Sequence, residues 1–254
     1  MRWGPLLLSS ITSRPITLAY DFRESSVTLA RVLAGLRDET TVARHSETGM
    51  WVASVLRERI AAGQLPPGSK LSEETLCEVL GVSRNTLREA FSTLAAERIV
   101  TRIPNRGVFV SRPSADDIRE IYRVRRFLEP AALLWSAESD LSALHQTIER
   151  ARAARDAGSV PGMATGNQDF HAGVVALAGS DRLDVLMMQV LAEMRLVFHS
   201  MDTNPDFHAP YIDENAQLLE LLAIGARVEA AERMSNYLNR SELQVLAAHT
   251  AAEV

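Results

Sequence analysis

The sequence predicts a mainly α-helical chain in two parts, a small unit of three helices and a β-hairpin followed by an all-α bundle. Apolar residues recur at helical spacing through most of residues 50–250, and two β-rich runs flank a Pro-Asn-Arg-Gly turn at Pro104–Gly107. Charge also divides along the chain: the formal net of −5 resolves into +1 for residues 1–49, +3 for residues 50–112 and −9 for residues 113–254. A basic segment of this size on an acidic partner suits a small polyanion-binding module.

With 254 residues, 46% hydrophobic and 23% charged, the chain can build two modest domains with their own cores. Its single cysteine, Cys77, excludes an internal disulfide framework and a cysteine-rich zinc module, and implies a reducing, cytoplasmic setting. No window approaches the roughly 18–20 apolar residues that cross a bilayer. Residues 1–49 are Ser/Thr/Arg-rich without a sustained period and read as a mobile extension, with Met50 as an alternative start. Ser interrupts the apolar run in MRWGPLLLSSITS and no small-residue cleavage pattern follows, which argues against a signal peptide.

The elements of residues 50–112 follow in order. Trp51, Val55, Leu56 and Ile60 form a helical stripe that stops at Gly63, and QLPPGSKL reads as a turn into a short extended piece. Ser72 is a good N-cap, with Glu73 and Glu74 in the first turn, and Leu76, Val79 and Leu80 make the apolar face before Gly81 stops the helix. Ser83 caps a third helix with Leu87, Ala90, Phe91 and Leu94 on its inner side, and IVTRIPNRGVFV reads as the hairpin. Three helices and a hairpin in this order make a winged helix-turn-helix. On the third helix Arg84 and Arg88 share a face with Asn85 beside them, free to enter a major groove. There Arg can bridge guanine O6 and N7 and Asn can pair with adenine. Ser83 and Thr86 at the helix start can place hydroxyls or amides on phosphate.

Beyond Pro113 the chain reads as helices: a long one opened by Ser114 and Asp117 and kinked at Pro130, then about 140–157, 164–178, 181–200, 210–223 and 226–249. The breaks fall at AGSVPG, AGSD and TNPDFHAP. Residues 113–250 are assigned to this bundle.

The run PPGSKLSEETLCEVLGVSRNTLREAFSTLAAERIVTRIPNRGVFV resembles the DNA-binding domain of the GntR family of bacterial transcription regulators. The resemblance implies major-groove and phosphate contacts from Arg84, Asn85, Thr86 and Arg88, and a wing tip of Asn105, Arg106 and Gly107 reaching the minor groove. Glu74 stands where the family usually has Arg, Thr86 replaces a usual Pro, Arg98 a usual Gly, and Cys77 a small core Ala. The later stretches IYRVRRFLEPAA, NQDFHAGVVALAGSDRL and ENAQLLELLAIGARVEAAERMSNYL resemble the FCD helical bundle of the FadR-like branch.

Many members of that branch hold a divalent metal through Asp and His four apart and two further His. Here Asn167 replaces the Asp, and Asn215 and Tyr237 replace the two later His, leaving His171. The expectation is therefore no metal cofactor. Asn167, His171, Asn215 and Tyr237 either ring a cavity for an organic effector or pair with one another and bind nothing. Arg125 either adds a cation for a carboxylate effector or pairs with a bundle acid. The function expected is a sequence-specific regulator that binds a palindromic double-stranded operator as a homodimer, with no membrane partner, modulated by a small effector. The alternatives are an effector-free structural bundle and a metal-dependent enzyme with an accessory winged domain. Against the enzyme, the chain shows no Gly-rich phosphate loop and no nucleophile with a base at motif spacing.

Overall fold

A computed structural model describes residues 45–136, 140–200 and 205–252. Residues 1–44, most of the proposed extension, lie outside these, while 45–49 open the first helix. The DNA-binding part comprises α1 (His45–Ala61), β1 (Lys70–Leu71), α2 (Glu73–Leu80), α3 (Arg84–Ala96), β2 (Val100–Ile103) and β3 (Gly107–Val110). β3 lies between β1 and β2, antiparallel to both, with Lys70 opposite Phe109 and Val100 opposite Val110.

Local chemistry explains these boundaries. Ser72 and Ser83 sit in extended backbone and accept hydrogen bonds from the Thr75 and Thr86 amides, each cap worth about 1 kcal/mol. Gly81 closes α2 at φ +65°, where a side chain would be strained. Leu56, Leu76, Leu80, Leu87, Phe91 and Leu94 are fully buried between the three helices and the sheet. Arg57 ties α1 to the end of α3 through a two-pronged pair with Glu97, 2.9 and 2.6 Å. At Arg98, where a Gly would be unstrained, the chain turns at φ +57° and the amide closes on the Ala95 carbonyl.

The bundle comprises α4 (Ala115–Trp135), α5 (Ser142–Asp156), α6 (Val160–Ala176), α7 (Asp181–Ser200), α8 (Pro205–Ala223) and α9 (Arg227–Ala252). Ser114 and Asp117 form the reciprocal capping box, Asp117 serving in place of Glu. α4 continues through Pro130 to Trp135. Two boundaries differ from the sequence reading. α6 starts at Val160, because Ser159 caps it and Pro161 occupies the first turn, where its missing N–H costs nothing. α8 starts at Pro205 and carries Pro210 inside it, so TNPDFHAP is largely helix. α5 and α6 approach closely: a Cβ at Gly166 would stand 2.7 Å from the Ala151 Cβ, and one at Gly173 2.6 Å from Leu144.

α7 belongs to both cores. Its Val190, Met194 and Val197 pack into the bundle, while Leu196 joins the core of the winged domain. Arg195 Nε and His199 Nε2 donate to the Ala61 carbonyl at the end of α1, 3.1 and 2.7 Å. Arg195 also donates to Thr165 on α6 at 2.7 Å.

At this junction Glu193 is pushed up to about 7 by burial, because Arg98, 3.8 Å away and largely exposed, offsets only part of the cost and Asp117 adds to it. Folding therefore favours the protonated acid, a contribution present below the ordinary carboxylate range and lost as pH rises through 7. Glu193→Gln is expected to stabilise the protein by about 2 kcal/mol at pH 8 and to have little effect near pH 4. Thermal melts of both proteins at the two pH values check this.

Candidate functional site

The α2–turn–α3 unit turns one face of α3 outward. Leu87, Ala90, Phe91 and Leu94 anchor the inner side, and Arg84, Asn85 and Arg88 are exposed together on the outer one. The Ser83 and Thr86 hydroxyls lie 2.9 Å apart and are engaged at the cap, so these residues shape the helix start. The wing lies alongside. Asn105 and Gly107 take positive φ, +60° and +109°, which lets the hairpin reverse in so few residues, and the exposed Arg106 sits 5.9 Å over the Phe109 ring.

Two residues that the sequence reading did not place on this surface complete it. Arg102 on β2 donates to the Arg88 carbonyl and to Ser92, both at 2.9 Å, fixing the wing to α3. Glu73 pairs with Arg88 through two contacts. Neither pairing has a local sequence signal, since the partners stand 14 and 15 positions apart and meet only through the fold.

In the bundle, Asn167, His171, Asn215 and Tyr237 do come together, with Arg125 at one end and a further residue, Glu129, joining them. Arg125 donates to Glu129 at 2.7 Å. The other Glu129 oxygen lies 2.6 Å from His171 Nδ1, whose proton it accepts. Tyr237 stands between His171 Nε2 at 3.0 Å and the Asn167 side-chain oxygen at 3.1 Å, and that oxygen also accepts from Asn215 at 2.8 Å. All six side chains are buried. Arg125 also lies 5.0 Å over the Tyr122 ring.

The electrostatics follow from burial opposed by pairing. Burial alone would raise the Glu129 carboxyl, but Arg125 and His171 beside it hold it below the ordinary range, so it stays ionised. Burial would lower Arg125, and the charge and hydrogen bond of Glu129, together with the neighbouring Tyr122 and Tyr237, outweigh it and hold the guanidinium charged. Burial keeps His171 below its usual value and pushes the Tyr237 phenol well above its own, leaving both neutral. Arg125 therefore does pair with a bundle acid. Its Nη2, like the Asn215 Oδ1, is nevertheless buried with no protein partner. Tyr237 has one proton for two acceptors, so the cluster can take a further donor.

The donor set does not suit a divalent metal. His171 is its one imidazole and has both ring nitrogens engaged, two of the positions are neutral amides, and Tyr237 would have to lose a proton that burial holds on. Among the described residues no group of three or more His, Cys, Asp or Glu is placed to hold a metal ion.

Comparison with known proteins matches residues 48–110 to the bacterial regulatory proteins of the gntR family and residues 120–240 to the FCD domain. The crystal structure of a putative GntR transcriptional regulator from Rhodococcus sp. RHA1 shares 40% identity and a TM-score of 0.76, covering 80% of this chain and 99% of that one. The chain belongs to the GntR family. It is a DNA-binding transcription regulator with an FCD domain, and the family is not one of enzymes. An HTH-type transcriptional regulator in the TAR-I ttuE-ttuC' intergenic region of Agrobacterium vitis is 32% identical over 130 residues, 48% of this chain and 76% of that protein. The gluconate operon transcriptional repressor of Bacillus subtilis is 42% identical over 84 residues, 33% of this chain and 34% of that protein. Among the described residues of this GntR regulator, no helix is long and apolar enough to cross a membrane.

Proposed function

We propose that the protein binds a palindromic operator as a homodimer and that a small organic carboxylate, held in the bundle without metal, changes the relative placement of the two winged domains. The observation that carries the ligand half is the pair of unpartnered buried atoms in the bundle. Arg125 Nη2 is a charged donor suited to a carboxylate, and Asn215 Oδ1 is an acceptor suited to a hydroxyl. A hydroxy acid carries both kinds of group. α6, which carries Asn167 and His171, reaches the winged domain through Thr165, Arg195 and the Ala61 carbonyl. A ligand that moves α6 thus acts on α1, by no more than its difference in affinity between the two arrangements.

The dimer reading rests on DNA geometry and on an apolar face. Two half-sites one helical turn apart require two winged domains held at fixed spacing. Phe127 on α4 and Val185, Leu186 and Met188 on α7 are exposed large apolar side chains on helices packed against each other, and a second copy would cover them.

Selection of duplexes from a random pool tests the first half, with two inverted half-sites expected; a single unpaired half-site would overturn the dimer. Thermal-shift measurements with sugar acids, hydroxy acids and divalent metals, before and after EDTA, test the second. The gluconate operon relative makes sugar acids the first to try. A rise with a hydroxy acid that survives EDTA supports the reading. No rise with any ligand would leave the polar chain with a structural role alone, as its many internal hydrogen bonds also permit.

A further inference from the structure

The ion pair between Glu73 and Arg88 lies within the surface that meets DNA. Arg88 projects from α3 one turn after Arg84, and its guanidinium meets the Glu73 carboxylate edge on, Nε to Oε1 at 3.3 Å and Nη2 to Oε2 at 3.2 Å. Both partners keep solvent access, with side chains 57% and 34% exposed. The backbone beneath is fixed from the other side, where Arg102 of β2 holds the Arg88 carbonyl and Ser92. Arg88 is thus held by α2 through its side chain and by the wing strand through its main chain.

We propose that Glu73 is a positioning and specificity-determining residue for DNA recognition. A guanidinium has five donors, and the pair with Glu73 uses two of them. The three that remain suffice for the two acceptors of a guanine edge, so Arg88 can read a base without giving up Glu73. Ordering a long side chain before binding removes an entropy cost that would otherwise be met on the operator. On a poorly fitting duplex the same carboxylate has the opposite effect. Arg88 then contacts no base, and a negative charge stands beside the phosphates that supply nearly all non-specific affinity. Glu73 thereby widens the gap between operator and non-specific DNA.

Glu74 provides the control, because it is exposed in the same first turn of α2 and stands outside the pair. Full-length wild type, Glu73→Gln, Glu73→Asp and Glu74→Gln would be titrated by fluorescence anisotropy at matched salt. The probes are the duplex that wild type selects from a random pool and a scrambled duplex of the same composition. Glu73→Gln is expected to tighten binding to the scrambled duplex while leaving or weakening operator binding, so that the ratio falls roughly fivefold. Glu74→Gln is expected to move both duplexes by the same factor. Glu73→Asp keeps the charge and shortens the reach, so it should weaken the operator without tightening the scrambled duplex. A ratio unchanged in Glu73→Gln, or shifted equally in Glu74→Gln, would overturn the proposal. The inference rests on α3 as the reading helix, and an operator affinity indifferent to Arg84→Ala would remove that footing whatever the Glu73 variants do.

Discussion

Glu129→Gln is expected to cost the bundle about 3–5 kcal/mol, the penalty for leaving a buried charge without its partner. Glu129 is fully buried and both its oxygens are used, one by Arg125 and one by His171. Gln keeps the shape but returns no charge to Arg125, and its amide nitrogen fits only against His171 Nδ1, with the imidazole proton moved to Nε2. Denaturant unfolding followed by far-ultraviolet circular dichroism reads the loss. The double change Arg125→Met with Glu129→Leu removes both charges at similar volume and is expected to recover most of it, because a buried ion pair is seldom more stable than well-packed apolar residues. The recovered protein should nonetheless lose any thermal shift with hydroxy acids, since the unpartnered Arg125 donor is gone. A loss below about 1 kcal/mol in Glu129→Gln would mean that Arg125 does not depend on Glu129 for its charge.

What could be read from the sequence was local. Ser72, Ser83 and Ser114 announce helix starts because a cap needs only a hydroxyl and an amide three residues on, and Gly81 announces a stop because αL backbone favours glycine. The face of α3 was legible for the same reason, since periodicity alone separates Leu87, Phe91 and Leu94 from Arg84 and Arg88. Glu129 was not. An Arg and a Glu four apart on a helix look the same whether they pair on the surface or in a core, and it is helices arriving from far along the chain, α6, α7 and α9, that pack on α4 and leave this pair buried. Aligned family positions brought Asn167, His171, Asn215 and Tyr237 to notice, but their mutual hydrogen bonds depend on three different helices converging.

The same limit explains α7. Its sequence is apolar on most sides, and nothing in the pattern separates Leu196, which enters the winged domain, from Met194 and Val197, which enter the bundle. The helix gives the molecule one rigid element common to both cores. Its polar residues Arg195 and His199 then fix the end of α1 by satisfying a carbonyl that the helix itself leaves open. On the α1 side the polar part of this contact is a backbone carbonyl, and that part would survive wide variation in the sequence of α1.

Arg84→Ala should weaken operator binding by about 1–3 kcal/mol, roughly ten- to a hundredfold, and relax base preference at one position in each half-site. Arg84 is exposed at the first position of α3, directly after the Ser83 cap, so it emerges at the end of the helix that enters a groove. It makes no contribution to the core, and its removal should leave the thermal midpoint nearly unchanged, which separates a recognition defect from a folding one. Arg106→Ala gives the contrast. Arg106 lies at the wing tip over Phe109, and its loss should weaken operator and scrambled duplexes alike while lowering the salt slope of binding by about one. Anisotropy titrations at several salt concentrations, with the selected duplex and single-base variants of it, measure both effects. Equal losses across all base variants in Arg84→Ala would make Arg84 a phosphate contact and shift base reading to Asn85 and Arg88. An unchanged operator affinity would show that α3 does not read the groove.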